Sequence, residues 1–342
     1  MTGFLYLSGE NPPLARAELL SAYRALGAKG EPVEFQDRIA LIEQKPSPEL
    51  VDRLGMCHFA GVLERTCPPE MERVMAAVEG TIEMLDPELS LAPLVRMPRG
   101  ILPFTAEELF NGIAEAIGGA GRKLRLRSPD SKVFVVVAKE AFVGHTTHSS
   151  SRSELMSRRG SNLAFSRPVM MDPRVSRSMV NLLGLPVGSS ILDPFMGPGG
   201  LIMEAALLGY ECTGIEVDLR VLEGAFKNLD SKGLTERVRA HLGDSRSIRS
   251  IKAVTANAPF DGLLTDPPFG RSASSGGSEP GDLLRVVLTS ARELLVNGAP
   301  VVLDAPDERM LDRVEGYELS SILKFRVHKS LTRHICVLRV VR

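Results

Sequence analysis

Between Ser190 and Leu303 the chain holds five strand-length apolar runs: Ser190–Leu192, Cys212–Ile215, Val238–Leu242, Gly262–Thr265 and Pro300–Leu303. Segments of helical period near Leu201–Leu208, Leu219–Asp230 and Asp282–Leu295 separate them. Near-continuous apolar strands that alternate with helices call for a parallel sheet covered on both faces. After Asp304 the pattern changes. Ile322–Val327 and Ile335–Val341, joined by a short polar stretch, predict an antiparallel hairpin at the edge of that sheet.

The first half reads differently. Residues 1–80 form a small α+β unit: strand Phe4–Leu7, a helix from Pro12 to Leu26 whose two prolines suit a first turn, strands near Val33–Phe35, Ile39–Ile42 and Phe59–Leu63, and a helix after Pro69. From Leu91 a second pattern begins, with strand Leu94–Met97 and a helix from Thr105 to Ile117. Thr105 with Glu108 three residues on makes a capping box, and Gly118-Gly119 a stop. Strands Leu124–Arg127 and Val133–Ala138 follow. Residues 145–165, rich in Ser and Arg, read as a linker or an arm that folds on its partner.

Composition excludes several classes. At 342 residues, 44% hydrophobic and 24% charged, the chain is an ordinary globular protein of two or three domains. No apolar stretch approaches the ~18 residues that span a bilayer, so no membrane partner is expected. The apolar run Phe4–Leu7 is too short for a signal-peptide h-region and has no basic stretch before it, so no signal peptide is expected. Cys57, Cys67, Cys212 and Cys336 are scattered without a Cys-x-x-Cys pair, which predicts reduced thiols, no metal site and a cytoplasmic location. A net charge of −1 does not announce a nucleic-acid binder. Residues 1–95, however, carry 8 Lys+Arg against 15 Asp+Glu, and residues 96–165 carry 11 against 6. That local excess can supply phosphate contacts, although a solvated mixed-charge surface fits it equally.

Two motifs carry the chemistry. Asp193-Pro194-Phe195-Met196-Gly197-Pro198-Gly199-Gly200 follows the first strand of the second half, where backbone can approach a ligand closely. Glu216 after the second strand is placed to accept ribose hydroxyls, Asp244 after the third to accept an adenine amino group, and Asp193 to face a cationic aminoacid-sulfonium end. The rival is a nicotinamide dinucleotide site, but Ile202 stands where its fingerprint wants a third glycine. S-adenosyl-L-methionine is therefore the expected cofactor. Asp266-Pro267-Pro268-Phe269 follows the fourth strand. An exocyclic amine on a base is a poor nucleophile because its lone pair is delocalised into the ring. The Asp266 carboxylate and Pro267 carbonyl could take its two N–H bonds and aim the lone pair, while Phe269 stacks on the ring. A plain strand-terminating turn is the alternative. Guanine, with adjacent ring and amino N–H donors, suits a carboxylate better than adenine does. At the hairpin tip, residues 328–334 could grip a phosphate, or simply be solvated.

Asp193–Gly200, Gly214–Asp218, Thr265–Ser272 and Lys329-Ser330-Leu331-Thr332-Arg333 together resemble the tRNA guanosine-10 N2-methyltransferase family of archaea and eukaryotes. Phe165–Met170 is similar to the segment opening its catalytic domain, and Ser128-Pro129-Asp130 with Val133–Val137 and Phe142-Val143-Gly144 looks like the end of a THUMP domain. The resemblance implies an α/β fold: a Rossmann-like class I methyltransferase domain at 166–342, a linker at 146–165, a THUMP domain at 81–145 and a ferredoxin-like domain at 1–80. It implies catalytic roles for Asp266, Pro267 and Phe269, and cofactor binding by Asp193, Phe195, Gly197, Gly199, Glu216 and Asp244. Substrate binding falls to Arg167, Pro268, Gly270, Arg271, Lys329 and Arg333. It further implies tRNA as substrate and a small zinc-binding activator protein as partner. Met196, Pro198 and Phe269 depart from the commoner residues of the family. Methylation of another RNA position or of DNA, and a non-catalytic RNA-binding platform, remain the alternatives.

Overall fold

The structure, a computed structural model, describes residues 1–342 except 28–33, 99, 101, 150–151, 169, 269–279, 306, 312–313 and 329–330. Its strands are β1 (Thr2–Leu7), β2 (Glu34–Gln36), β3 (Ile39–Ile42), β4 (Cys57–Cys67), β5 (Leu91–Arg96), β6 (Ser131–Val137), β7 (Ala141–Ser149), β8 (Ser190–Asp193), β9 (Glu211–Glu216), β10 (Val238–Leu242), β11 (Gly262–Thr265), β12 (Pro300–Ala305), β13 (Tyr317–His328) and β14 (Leu331–Val340). The α-helices are α1 (Pro12–Ala25), α2 (Pro48–Arg53), α3 (Met71–Met84), α4 (Ala106–Gly119), α5 (Arg152–Ser157), α6 (Pro173–Leu182), α7 (Gly200–Leu207), α8 (Leu219–Asp230), α9 (Lys252–Thr255) and α10 (Pro280–Ala291).

Two compact units result. The first comprises residues 1–12, 31–52 and 57–150, and the second residues 13–30, 53–56 and 151–342. In the first, one sheet runs β2-β3-β1-β4-β7-β6-β5, with only β5 and β6 parallel among neighbours. Side-chain alternation along β6 divides its core. Val133, Val135 and Val137 meet Val74, Val78 and Ile82 of α3 and Leu109, Ile113 and Ile117 of α4, each a helical stripe at four-residue spacing. Phe134 and Val136 point the other way, where Phe134 stacks on Phe4 with ring centroids 4.5 Å apart.

The capping box at α4 forms as its sequence dictates: Thr105 Oγ1 accepts from the Glu108 amide at 3.1 Å and the Glu108 carboxylate accepts from the Thr105 amide at 2.7 Å. Gly118 and Gly119 lie inside the last turn, and Gly121, at φ +69°, makes the left-handed exit. Leu124–Arg127 does not form the expected strand. Leu124 makes one bridge to Leu91, and Leu124 and Leu126 stay exposed, so the alternation has no second layer to bury it. His145 to Ser149 extend β7 along β4, and α5 follows, where the sequence suggested only linker.

In the second unit the sheet runs β10-β9-β8-β11-β12-β14-β13, parallel from β10 to β12, with β14 antiparallel between β12 and β13. Every residue of β11 and β12 is buried, which requires cover on both faces. Leu284, Leu288 and Ala291 of α10 supply part of it, against Leu263, Val301 and Leu303. The chain leaves β8 toward β9 and β10, then returns to β11 on the other side of β8. Ligands bind at such a reversal, beyond the carboxyl ends of the strands.

Helix α1 clusters with this second unit because of one buried acid. Glu18, fully buried, accepts from the amides of Gly55 and Met56 at 2.8 Å each and from Asn181 Nδ2 of α6 at 2.9 Å. Burial pushes its carboxyl above the usual range, against the pull of these donors. Glu18→Ala would leave the Gly55 and Met56 amides without their acceptor and cost Asn181 Nδ2 one of its two, the Arg53 carbonyl remaining. It is expected to lower the unfolding free energy by about 3 kcal/mol in a urea titration followed by circular dichroism. A loss below about 1 kcal/mol would show that other acceptors replace the carboxylate.

Candidate active site

The Gly-rich loop begins where β8 ends. Asp193, 1% exposed, accepts from the Phe195 amide at 3.0 Å and from Thr265 Oγ1 at 2.7 Å, both at Oδ1. Gly197 (φ +52°) and Gly199 (φ +85°) take the left-handed conformations that the turn into α7 requires, and Gly199 caps that helix. Met196, unusual here, is buried over Gly214 of β9, where an added Cβ would lie 2.5 Å from its sulfur. Pro198 turns its carbonyl to Asn228 Nδ2 at 3.0 Å, and the same amide group holds the Phe165 carbonyl at 2.8 Å. The Phe165 ring covers Gly224 of α8 so closely that no Cβ would fit. Asn228, wholly buried, thus fastens the segment before α6 to the loop.

The acids at later strand ends stand around this loop. Glu216 closes β9 and accepts from the Asp218 amide at 2.8 Å. Asp218 caps α8 and pairs with Arg167 at 3.2 Å, so the expected substrate-binding Arg167 lies beside the β9–α8 turn in a half-exposed ion pair. Asp244 caps the 3-10 turn Ser245–Ser250 and is gripped by Arg246 at 2.6 Å, which holds its carboxyl below the usual range. Phe195 is partly exposed in the loop.

Asp266 follows β11. Its neighbour Pro267 is buried and Pro268 exposed, while Phe269, Gly270, Arg271 and Lys329 lie outside the described residues. Arg333 of β14 does not project from the hairpin tip. Its Nη1 lies 3.1 Å from both carboxylate oxygens of Asp266 and also contacts Asp304 Oδ2, and its side chain is 12% exposed. Residues 193, 197, 199, 216, 266 and 333 therefore gather at the carboxyl end of the sheet. Sequence reasoning missed Thr265, Asn228, Asp304 and Ser245, whose hydroxyl donates to the Pro194 carbonyl. Of these, only Asp304 carried a local signal, an acid at a strand end like the other three.

Electrostatically the site is acid-rich. Burial, with the charges of Asp266 and Glu216, pushes Asp193 up to about 7. Burial, then Asp266, pushes Asp304 up to about 7. Burial raises Asp266 too, against the pull of Arg333. Asp193 Oδ2 has no hydrogen-bond partner among the described residues. A buried carboxylate with a free oxygen under a left-handed glycine loop fits a cofactor whose reactive end is cationic, and repels a pyrophosphate. The residues present therefore fit S-adenosylmethionine, which the glycine loop, Asp193 and Glu216 would hold. Among the described residues no group of three metal-ligating side chains gathers.

The family model of the RMKL-like methyltransferase domain matches residues 163–335. The chain is 29% identical over 352 aligned residues, with all of both chains covered, to a tRNA (guanine(10)-N2)-dimethyltransferase of Methanothermobacter thermautotrophicus. It is 27% identical to the enzyme of the same name from Pyrococcus abyssi, with 98% of each chain covered. In fold it is similar to the crystal structure of TrmN from Thermus thermophilus, with a TM-score of 0.66 at 24% identity over both full chains. The relatives bear the name of the family that the motifs resemble, and their match runs through both units. The chain belongs to the RMKL-like methyltransferase domain family.

Proposed function

We propose that this protein is an S-adenosylmethionine-dependent tRNA methyltransferase acting on the exocyclic N2 of guanosine, at position 10. The observation that carries the reading is the placement of Asp266-Pro267 at the end of β11, one strand from the Asp193 loop across the sheet's reversal point. The full-length similarity to enzymes named for guanine(10)-N2 dimethylation selects the base and its position.

When bound, the cofactor supplies a methyl group on a cationic sulfur. The chain's own residues handle the amine. The Asp266 carboxylate and Pro267 carbonyl accept N–H bonds from guanine, so that the N2 lone pair points at the methyl carbon, and Phe269 stacks on the ring. Methyl transfer to N2 would leave the amine with a surplus proton, which Asp266 or water would take up. No covalent enzyme intermediate is needed. The target base must leave its stack to reach the strand ends. Basic residues of 91–165 and the β13–β14 hairpin dock the tRNA, Arg167, Pro268, Gly270, Arg271 and Lys329 hold it near the cleft, and Arg333 acts from beneath. Asp244 completes the adenine end of the cofactor site and Phe195 its loop. Residues 1–80 and 81–145 serve as ferredoxin-like and THUMP modules, a small zinc-binding activator docks on the catalytic unit, and the protein works in the cytoplasm. No helix among the described residues is long and apolar enough to cross a membrane.

Incubating the purified chain, with and without an activator, with tRNA and methyl-labelled cofactor, then mapping the nucleosides, tests the reading. Label in N2-methyl- or N2,N2-dimethylguanosine is expected, and label in adenosine alone would overturn it. Asp266→Ala should reduce turnover at least about a thousandfold while tRNA affinity by gel shift stays within about threefold. Glu216→Ala should instead weaken cofactor binding about 10- to 100-fold by calorimetry, the worth of charged hydrogen bonds to hydroxyls.

Asp193 adds a pH dependence. Its raised value means that the folded chain keeps a proton that the unfolded chain releases at lower pH, so this contribution to stability is full at acid pH and is lost as pH rises through about 7. A cationic ligand favours the ionised form. Cofactor affinity should therefore strengthen from pH 6 to 8, with proton release on binding near pH 7, and the cofactor-induced rise in Tm should be larger at pH 8 than at pH 6. Affinity that is flat across this range would remove Asp193 from the cationic end of the site.

A further inference from the structure

The fifth strand of the second unit's sheet, β12, carries at its penultimate position an acid that the proposed chemistry does not use. In the parallel register of β11 and β12, Thr265 stands opposite Leu303, so Asp266, the first residue past β11, comes beside Asp304, which is still within β12 and paired with Ile335 of β14. Asp304 is 4% exposed. One of its oxygens meets Arg333, the other has no side-chain or backbone partner among the described residues, and the His334 amide also faces the group. A buried carboxylate set beside another carboxylate is costly if its only task is to fill a strand position, since an amide or hydroxyl would serve at lower desolvation cost.

The contacts of Arg333 show what the second acid does. Its bonds to Asp266 and to Asp304 all come from one nitrogen, Nη1. A guanidinium and a carboxylate left to themselves favour a two-pronged pair with parallel N–H bonds. Here Asp304 draws the shared nitrogen toward itself, and Asp266 is held by a single prong. That leaves lone pairs on both Asp266 oxygens for another donor.

We propose that Asp304 is a positioning residue of methyl transfer: by sharing Arg333 with Asp266, it keeps Asp266 charged and aimed, yet open to accept the N–H bonds of the incoming base. This rests on the functional reading above. Without Asp304 the guanidinium closes on Asp266 as a full fork and competes with the base. Without Arg333 two buried carboxylates face each other uncompensated, and Asp266 takes up a proton and loses its acceptor. Among the described residues, the charged and titratable groups facing the pair are Asp193 at the end of β8 and Arg333 and His334 on β14, with Glu216 at the end of β9 acting on Asp193 and Asp307 after β12 acting on His334 in turn.

The two variants should therefore move the acid limb of the kcat profile in opposite directions. Single-turnover methylation of tRNA by the full chain is measured from pH 5.5 to 9 with saturating labelled cofactor, for wild type, Asp304→Asn and Arg333→Met. Asp304→Asn gives Asp266 the whole cation, so its limb should shift about one pH unit to the acid side, with a plateau about tenfold lower and KM for tRNA within about twofold of wild type. Arg333→Met should shift the limb about one unit to the alkaline side. A lower Asp304→Asn plateau with an unmoved limb marks a merely structural acid and overturns the proposal, as does an Arg333→Met limb that stays in place or moves to lower pH. Circular dichroism and cofactor affinity establish that each variant is folded, and if Asp304→Asn is not, the Arg333→Met limb alone decides. A wild type that transfers no methyl to tRNA overturns the functional reading together with this inference, whereas an active wild type with unshifted variants overturns this inference alone.

Discussion

The hydrogen bond from Thr265 Oγ1 to Asp193 joins the two halves of the site. Asp193 ends the strand that launches the glycine loop, and Thr265 ends the strand that delivers Asp266. The two strands are neighbours only because the chain reverses its direction of travel across the sheet at β8. One 2.7 Å contact thus couples the glycine loop to the turn that carries Asp266, the proposed cofactor and base sites. Asp193 spends both bonds of its Oδ1 on internal order, on Thr265 and the Phe195 amide, and keeps Oδ2 in reserve. Much of the remaining loop geometry serves to keep that arrangement rigid: Met196 filling the space over Gly214, and Asn228 bracing Pro198.

The motif residues were legible because their signal is local. A glycine that must adopt positive φ, an acid at the end of an apolar run and a Pro-Pro turn each announce themselves within a few positions, and the strand periodicity placed them correctly beyond the sheet's edge. The hairpin was readable for the same reason, and its insertion of β14 between β12 and β13 is what carries Arg333 inward. What remained hidden were partnerships over long sequence distances. Nothing near Glu18 announces Asn181, and nothing near Phe165 announces Asn228. Arg333 was visible as a basic residue near a hairpin tip, but the two acids that claim it lie 67 and 29 positions away. Leu124–Arg127 failed in the opposite direction: its alternation is that of a strand, yet burial decides strand formation, and there the leucines have nothing to pack against.

The acid-rich strand ends set the energetics of the site. Four carboxylates, Asp193, Glu216, Asp266 and Asp304, converge with one shared guanidinium, and burial drives three of them toward protonation. For the folded chain alone such a cluster is a burden, because buried like charges repel and cannot all ionise. A cationic cofactor reverses the sign of the problem. Its charge would favour ionised carboxylates, so that stability withheld from the free chain would return as binding and would add to the hold of Arg333 on Asp266 in its charged form. Cofactor binding and the charge state of Asp193 would then be linked.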